Sequence, residues 1–194
     1  MEKIGLFFGT FNPIHNGHIE LASFFHKKAE LDFIWFVITP HNPWKKATDL
    51  LDETERFKIV SRALVSYAKF KVNTIEFKLP KPNYTHTTLT KLKKQYPYKV
   101  FKLILGADNL ISFDKWKNYD KILDGFELLI YPRKIDKSIP KKFLEHSKIL
   151  WPKAPNLTIS SSEIRKKIHE GADVSTQMPI KSWEYIKENN FYSA

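Results

Sequence analysis

The chain has no cysteine and only two methionines among its 194 residues. Disulfide staples, thiolate nucleophiles and cysteine-based metal sets are thereby excluded, and any chemistry must come from imidazole, carboxylate, hydroxyl, amine or guanidinium groups. Long hydrophobic runs are missing as well. No apolar stretch approaches the roughly 20 residues of a spanning helix, and no signal-peptide pattern is present, so a cytoplasmic protein with no membrane partner is expected. Arginine is scarce: four arginines stand against 28 lysines within a formal net charge of +11. A basic surface attracts polyanions. Here, however, the lysines are scattered over nearly every polar face, and arginine is the better tool for bidentate phosphate and base contacts, so the charge argues against nucleic acid as the partner. Three of the four arginines, Arg56, Arg133 and Arg165, fall in segments that carry patterns of their own.

What is present is an ordinary hydrophobic content of 42%, enough for one domain over residues 1–194 with a sizeable core. No internal repeat, low-complexity tract or interdomain linker interrupts it. Apolar strand segments alternate with amphipathic helical ones, which predicts a doubly wound α/β fold with a mostly parallel, Rossmann-like sheet and a helical C-terminal end.

Residues 3–18 read K-I-G-L-F-F-G-T-F-N-P-I-H-N-G-H. Ile4, Leu6, Phe7 and Phe8 make a strand that stops at Gly9; after Thr10, Phe11, Asn12 and Pro13, the group His15, Gly17 and His18 opens a helical pattern. A strand feeding a helix start through such a turn presents unpaired main-chain N–H groups and the positive end of a helix dipole, which favours phosphate. Two imidazoles add donors at the same spot. Taken singly, each His reads equally well as a cap or a packing residue. A His-x-x-His pair can also hold zinc, but no cysteine or nearby carboxylate completes that set.

Further along, a helix is expected over 17–30 and a second strand over Phe33–Ile38, followed by a proline-rich loop from Thr39 to Lys46. Loops at the carboxyl ends of parallel strands line the ligand crevice, so this loop should face the histidines with its exposed polar and basic groups; on their own, Lys45 and Lys46 read as solvated side chains. Asp52 caps a helix reaching Tyr67, with Phe57, Val60, Ala63 and Leu64 turned inward and Arg56 at the surface or just behind the site. Residues 73–77 read as a short strand. Tyr84-Thr85-His86-Thr87-Thr88-Leu89 opens a helix to Tyr96, whose first N–H groups suit a carboxylate or form a threonine-rich cap with no ligand.

The strand over 99–105 runs into Gly106-Ala107-Asp108, where an Asp at a strand's carboxyl end accepts hydrogen bonds from ribose hydroxyls or caps the next turn. Trp116 by itself reads as core. A short helix at 119–123 and a strand at 126–131 lead to Pro132-Arg133, while residues 134–151 hold a lysine-rich surface helix and a short strand without a motif. Ser160 and Glu163 form a capping box, which leaves Ser161, Ser162 and Arg165 over as a second anion cradle. A last helix over 180–189 turns Trp183 and Ile186 inward.

These segments resemble the nucleotidyltransferase superfamily related to class I aminoacyl-tRNA synthetases, and within it the nicotinate-nucleotide adenylyltransferases. G-T-F-N-P-I-H-N-G-H is similar to the signature G-x-F-x-P-x-H-x-G-H, and Tyr84-Thr85 through Leu89, Gly106-Ala107-Asp108 with Trp116, and Ile159-Ser160-Ser161-Ser162 through Arg165 resemble further elements in the family's order. Two departures stand out. Ser162 replaces the usual Thr, and Asn42-Pro43-Trp44-Lys45-Lys46 stands where the family carries Asn-Pro-Pro-His-Lys, so Lys45 occupies the place of a histidine while Lys46 aligns with a phosphate-facing lysine.

The resemblance implies adenylyl transfer from ATP to nicotinate mononucleotide, giving nicotinate adenine dinucleotide and pyrophosphate, with Mg²⁺ accompanying ATP and no dedicated metal site. It implies His15, His18, Lys46 and Arg165 as catalytic groups; Gly9, Thr10, Phe11, His15, His18, Gly106, Asp108, Ser160, Ser161 and Arg165 at ATP; and Thr85, His86, Asp108, Trp116 and Arg133 at the pyridine nucleotide, with a stacking role for Trp116. Nicotinamide mononucleotide as the acceptor stays open. A phosphopantetheine adenylyltransferase fits Trp116 and Tyr84-Thr85 less well, and a basic nucleic-acid-binding module accounts for the charge and nothing else.

Overall fold

The segment Phe33–Ile38 reads FIWFVI, and a strand without a polar residue is stable only where both of its faces are covered. The computed structural model, which describes residues 1–40, 50–135 and 137–194, makes it β2 of a six-stranded sheet. Its companions are β1 (Lys3–Gly9), β3 (Phe70–Asn73), β4 (Val100–Gly106), β5 (Glu127–Tyr131) and β6 (Ile149–Leu150). They stand in the order β3-β2-β1-β4-β5-β6, and every pairing is parallel. The doubly wound fold is as expected, with a sheet that is wholly parallel. The helices are α1 (Asn16–Lys28), α2 (Glu53–Leu64), α3 (Thr85–Gln95), α4 (Tyr119–Gly125), α5 (Lys141–Leu144), α6 (Ser161–His169) and α7 (Ile180–Glu188).

Alternation along each strand builds two cores. Phe7, Phe36, Ile104 and Leu129 point to the face covered by α1, α2, α6 and α7, while Leu6, Val37, Leu103 and Ile130 point to the face covered by α3, α4 and α5. Burying each such side chain contributes about 1.5–3 kcal/mol. Among the described residues no helix is long and apolar enough to cross a membrane.

Two expectations need correction. The strand predicted over 73–77 ends where it was to begin: β3 pairs with β2 from Phe70↔Ile34, and the Asn73 side chain accepts a 2.9 Å hydrogen bond from the Ile75 N–H, turning the chain into a 3-10 helix over Ile75–Lys78. In α2, Phe57 is 37% exposed and Ile59 takes the inward place; of the two places expected for Arg56, the surface is wrong and the one just behind the site is right, for it is only 1% exposed. Its burial follows from its partners, described next.

Candidate active site

Strand order reverses between β1 and β4, and the loops at their carboxyl ends part to leave a cleft of about 1340 Å³. His15 and His18 lie on its wall, at the start of α1. Their rings lie close, centroids 3.7 Å apart and planes tilted by 31°, and the His15 main-chain N–H donates to His18 Nδ1 at 3.2 Å. His18 therefore caps the first turn through Nδ1, which leaves Nε2 as the protonated nitrogen of its neutral form. His15 is 3% exposed; burial first, then the Arg133 guanidinium, lowers its pKa to about 4. It is a neutral imidazole at pH 7. A Cβ on Gly17 would come within 3.1 Å of His15 Nδ1 and 3.0 Å of Leu157, so glycine lets the ring settle there.

The turn between β1 and α1 is held from outside. Phe11 has φ 45°, a left-handed conformation that costs a non-glycine residue about 1–2 kcal/mol. Arg56 of α2 donates through Nη1 to Thr10 O at 2.7 Å and Thr39 O at 3.0 Å, through Nη2 to Pro40 O at 3.2 Å, and through Nε to Leu51 O at 2.7 Å. From α6, Arg165 donates to Asn12 O at 2.9 Å and Ser161 Oγ to Pro13 O at 2.9 Å. Ser160 caps α6, its Oγ accepting the Glu163 N–H at 3.2 Å.

On the opposite side, Asp108 and Arg133 flank Gly106 at the end of β4, with Arg133 Nε 3.9 Å from Asp108 Oδ1. A Cβ on Gly106 would overlap the Asp108 carboxylate and meet Arg133 Cγ at 2.9 Å. Trp116 is half-buried against Phe113, 5.2 Å between ring centroids, and lines the cleft together with Tyr84 and Thr85. Below them Glu76 is 2% exposed; it accepts from Thr88 Oγ1 at 2.6 Å and receives the Asn83 amide on its carbonyl at 3.0 Å, and burial raises its pKa.

The cleft thus gathers Gly9, Thr10, Phe11, His15, His18, Thr85, Gly106, Asp108, Trp116, Arg133, Ser160, Ser161 and Arg165. His86 stands apart from that lining, its Nδ1 3.3 Å from the Asn118 amide. Lys45 and Lys46 lie outside the described residues.

The cytidylyltransferase-like family profile matches residues 6–167, more than half of the chain. This chain belongs to that family. Two proteins described as probable nicotinate-nucleotide adenylyltransferases are similar to it over 98% of both chains: one from Flavobacterium johnsoniae at 48% identity over 190 residues, one from Christiangramia forsetii at 46% over 191. The structure of Plasmodium falciparum nicotinic acid mononucleotide adenylyltransferase complexed with NaAD matches with a TM-score of 0.75 at 22% identity, covering 99% of this chain and 98% of that one. At that identity it shows the shared fold. With relatives this similar, the chain takes its place among the nicotinate-nucleotide adenylyltransferases of the cytidylyltransferase-like family.

Several cleft residues of this family member escape a sequence reading. Asn12 and Glu76 line the cleft, as do Lys115, Lys117 and Lys134. Asn12 sits inside the signature, yet its main-chain and side-chain roles are set by partners far along the chain. The lysines carry no signal that separates them from the other lysines of so basic a sequence.

Proposed function

We propose that the chain transfers the adenylyl group of ATP to the 5′-phosphate of nicotinate mononucleotide, releasing pyrophosphate and supplying nicotinate adenine dinucleotide for NAD biosynthesis, with residues 1–194 working as one catalytic unit. The observation that carries this reading is the closely apposed His15–His18 pair at the start of α1, opening onto a cleft that also holds Asp108, Trp116 and Arg165. The 48% identity to a relative named for this reaction supports the choice of substrates.

In this reading a phosphate oxygen of the mononucleotide attacks the α-phosphorus in line, a P–O bond forms, and the bond to pyrophosphate breaks. No side-chain nucleophile takes part. The chain contributes positioning and charge stabilisation: His18 Nε2–H and His15 donate to oxygens of the α-phosphate, while Arg165 and Lys46 hold the departing pyrophosphate, with Ser160, Ser161 and the Gly9–Phe11 backbone beside them. Keeping His15 neutral suits a group that must donate a hydrogen bond beside the cations Arg133 and Arg165 without adding to their repulsion.

Asp108 accepts ribose hydroxyls, Trp116 stacks on the pyridine ring, and the first N–H groups of α3 at Thr85 favour the pyridine carboxylate, with Arg133 a further cation of the same cleft and His86 set back from its lining. Mg²⁺ enters as part of the substrate MgATP. The ion is carried on phosphate oxygens and water. The test is pyrophosphate release from MgATP with nicotinate mononucleotide against nicotinamide mononucleotide. Rapid release with the acid and little with the amide supports the reading; no release with either overturns it.

A further inference from the structure

We propose that Tyr192, beyond α7 and outside the family-matched span 6–167, is a positioning residue for the His15–His18 pair, acting through Asn12. Its hydroxyl donates to Asn12 Oδ1 at 2.7 Å, across 180 positions of sequence, and the same Asn12 oxygen accepts the Leu51 N–H at 3.2 Å. Asn12 is 5% exposed and sits three residues before His15, in a turn that Phe11 enters in a left-handed conformation. A strained turn keeps one shape only where its surroundings over-determine it. Thr10 O, Asn12 O and Pro13 O are each fixed by a different donor, Arg56, Arg165 and Ser161, and Tyr192 fixes the one side-chain group of the turn that carries a carbonyl.

The tail is itself shaped for that contact. Asn190 and Tyr192 have φ of 52° and 66°, left-handed values that asparagine tolerates and tyrosine does not favour. Phe191 between them packs edge-on against Tyr185 at 5.9 Å, so the chain is anchored on α7 and then bent to bring the phenol inward. Burial raises the Tyr192 pKa, outweighing the opposite pull of Arg56 and Arg165, so the phenol remains a proton donor throughout the working range.

The inference rests on the adenylyl-transfer reading for its kinetic arm and on histidine signals for an arm that needs no turnover. Tyr192→Phe keeps the ring and removes only the donor. Expected results are a fall in kcat of about tenfold, in line with loss of one buried hydrogen bond, with KM for both substrates unchanged. In the Asn12→Ala background the same Tyr192→Phe change should cost less than twofold, because the two groups act as one unit. Without substrate, the ring NMR signals of His15 and His18 should move in Tyr192→Phe while those of His146 and His169 stay.

Wild-type kcat together with unmoved His15 and His18 signals in Tyr192→Phe would overturn the proposal. So would an undiminished Tyr192→Phe effect in the Asn12→Ala background, or a loss of kcat accounted for by the fraction of protein unfolded. A wild-type protein without turnover would overturn the adenylyl-transfer reading alone, since the ring signals decide the positioning role independently.

Discussion

At the scale of single residues, the division of labour between the two imidazoles leads to different predictions for each. His18 Nδ1 caps α1, which puts the proton of the neutral ring on Nε2; if that Nε2–H is the proposed phosphate donor, His18→Ala should leave the fold intact and lower kcat by roughly two orders of magnitude or more, as for removal of a transition-state donor. Steady-state kinetics on folded His18→Ala checks this, and wild-type turnover would sink the assignment. His15 makes a pH prediction. Its pKa falls from 6.5 unfolded to about 4 folded, so below pH 6.5 the unfolded chain takes up a proton that the folded one refuses. The stability from this group is complete above pH 6.5 and is lost as pH falls toward 4, about 3 kcal/mol in all. Urea unfolding of His15→Asn should show a flatter decline over that window than the wild type. Arg56 is a buried cation whose charge is spread over four main-chain carbonyls. Arg56→Met leaves those carbonyls without their donor and should destabilise the protein by about 3–5 kcal/mol in urea titrations.

At the scale of elements, much was legible because the elements are locally consistent. The strand Phe33–Ile38 coincides with its predicted bounds, since six apolar residues between polar flanks leave no other register, and the capping signals at Asp52 and Ser160 mark true helix starts. Asp52 accepts the Thr54 N–H at 2.8 Å; Asp52→Ala should cost about 1 kcal/mol, visible as a lower thermal midpoint. The misread elements have one physical cause. Asn73 ends β3 by bonding its own backbone neighbour, a side-chain choice that a hydrophobic pattern does not register. Arg56 goes inward for main-chain partners up to 46 positions away, so the depth of its burial has no local signature; the inward turn of Tyr192, toward an amide 180 positions away, has none either and is not anticipated by the sequence. The cleft residues that motifs name were legible because nearly all of them sit at strand ends or helix starts, where the parallel sheet must bring them together. Their supports were not, because support comes from α2, α6 and the tail.

At the scale of the whole molecule, the sheet and its two covering layers set the cleft, and Lys115, Lys117, Lys134, Arg133 and Arg165 line it with cations, which suits the two anionic nucleotides proposed as substrates. The ion pairs among described residues are largely exposed, so they set the field more than the stability. Raising ionic strength should accordingly raise KM for MgATP and for the mononucleotide more than it lowers kcat, which initial-rate measurements across a salt series would show. The central claim is the reaction itself, and pyrophosphate release from MgATP with nicotinate mononucleotide, run beside nicotinamide mononucleotide, tests it most directly. Fast release with the acid, slow release with the amide and its disappearance in His18→Ala are the predicted result; no release with either mononucleotide, or release that survives His18→Ala undiminished, would contradict the account.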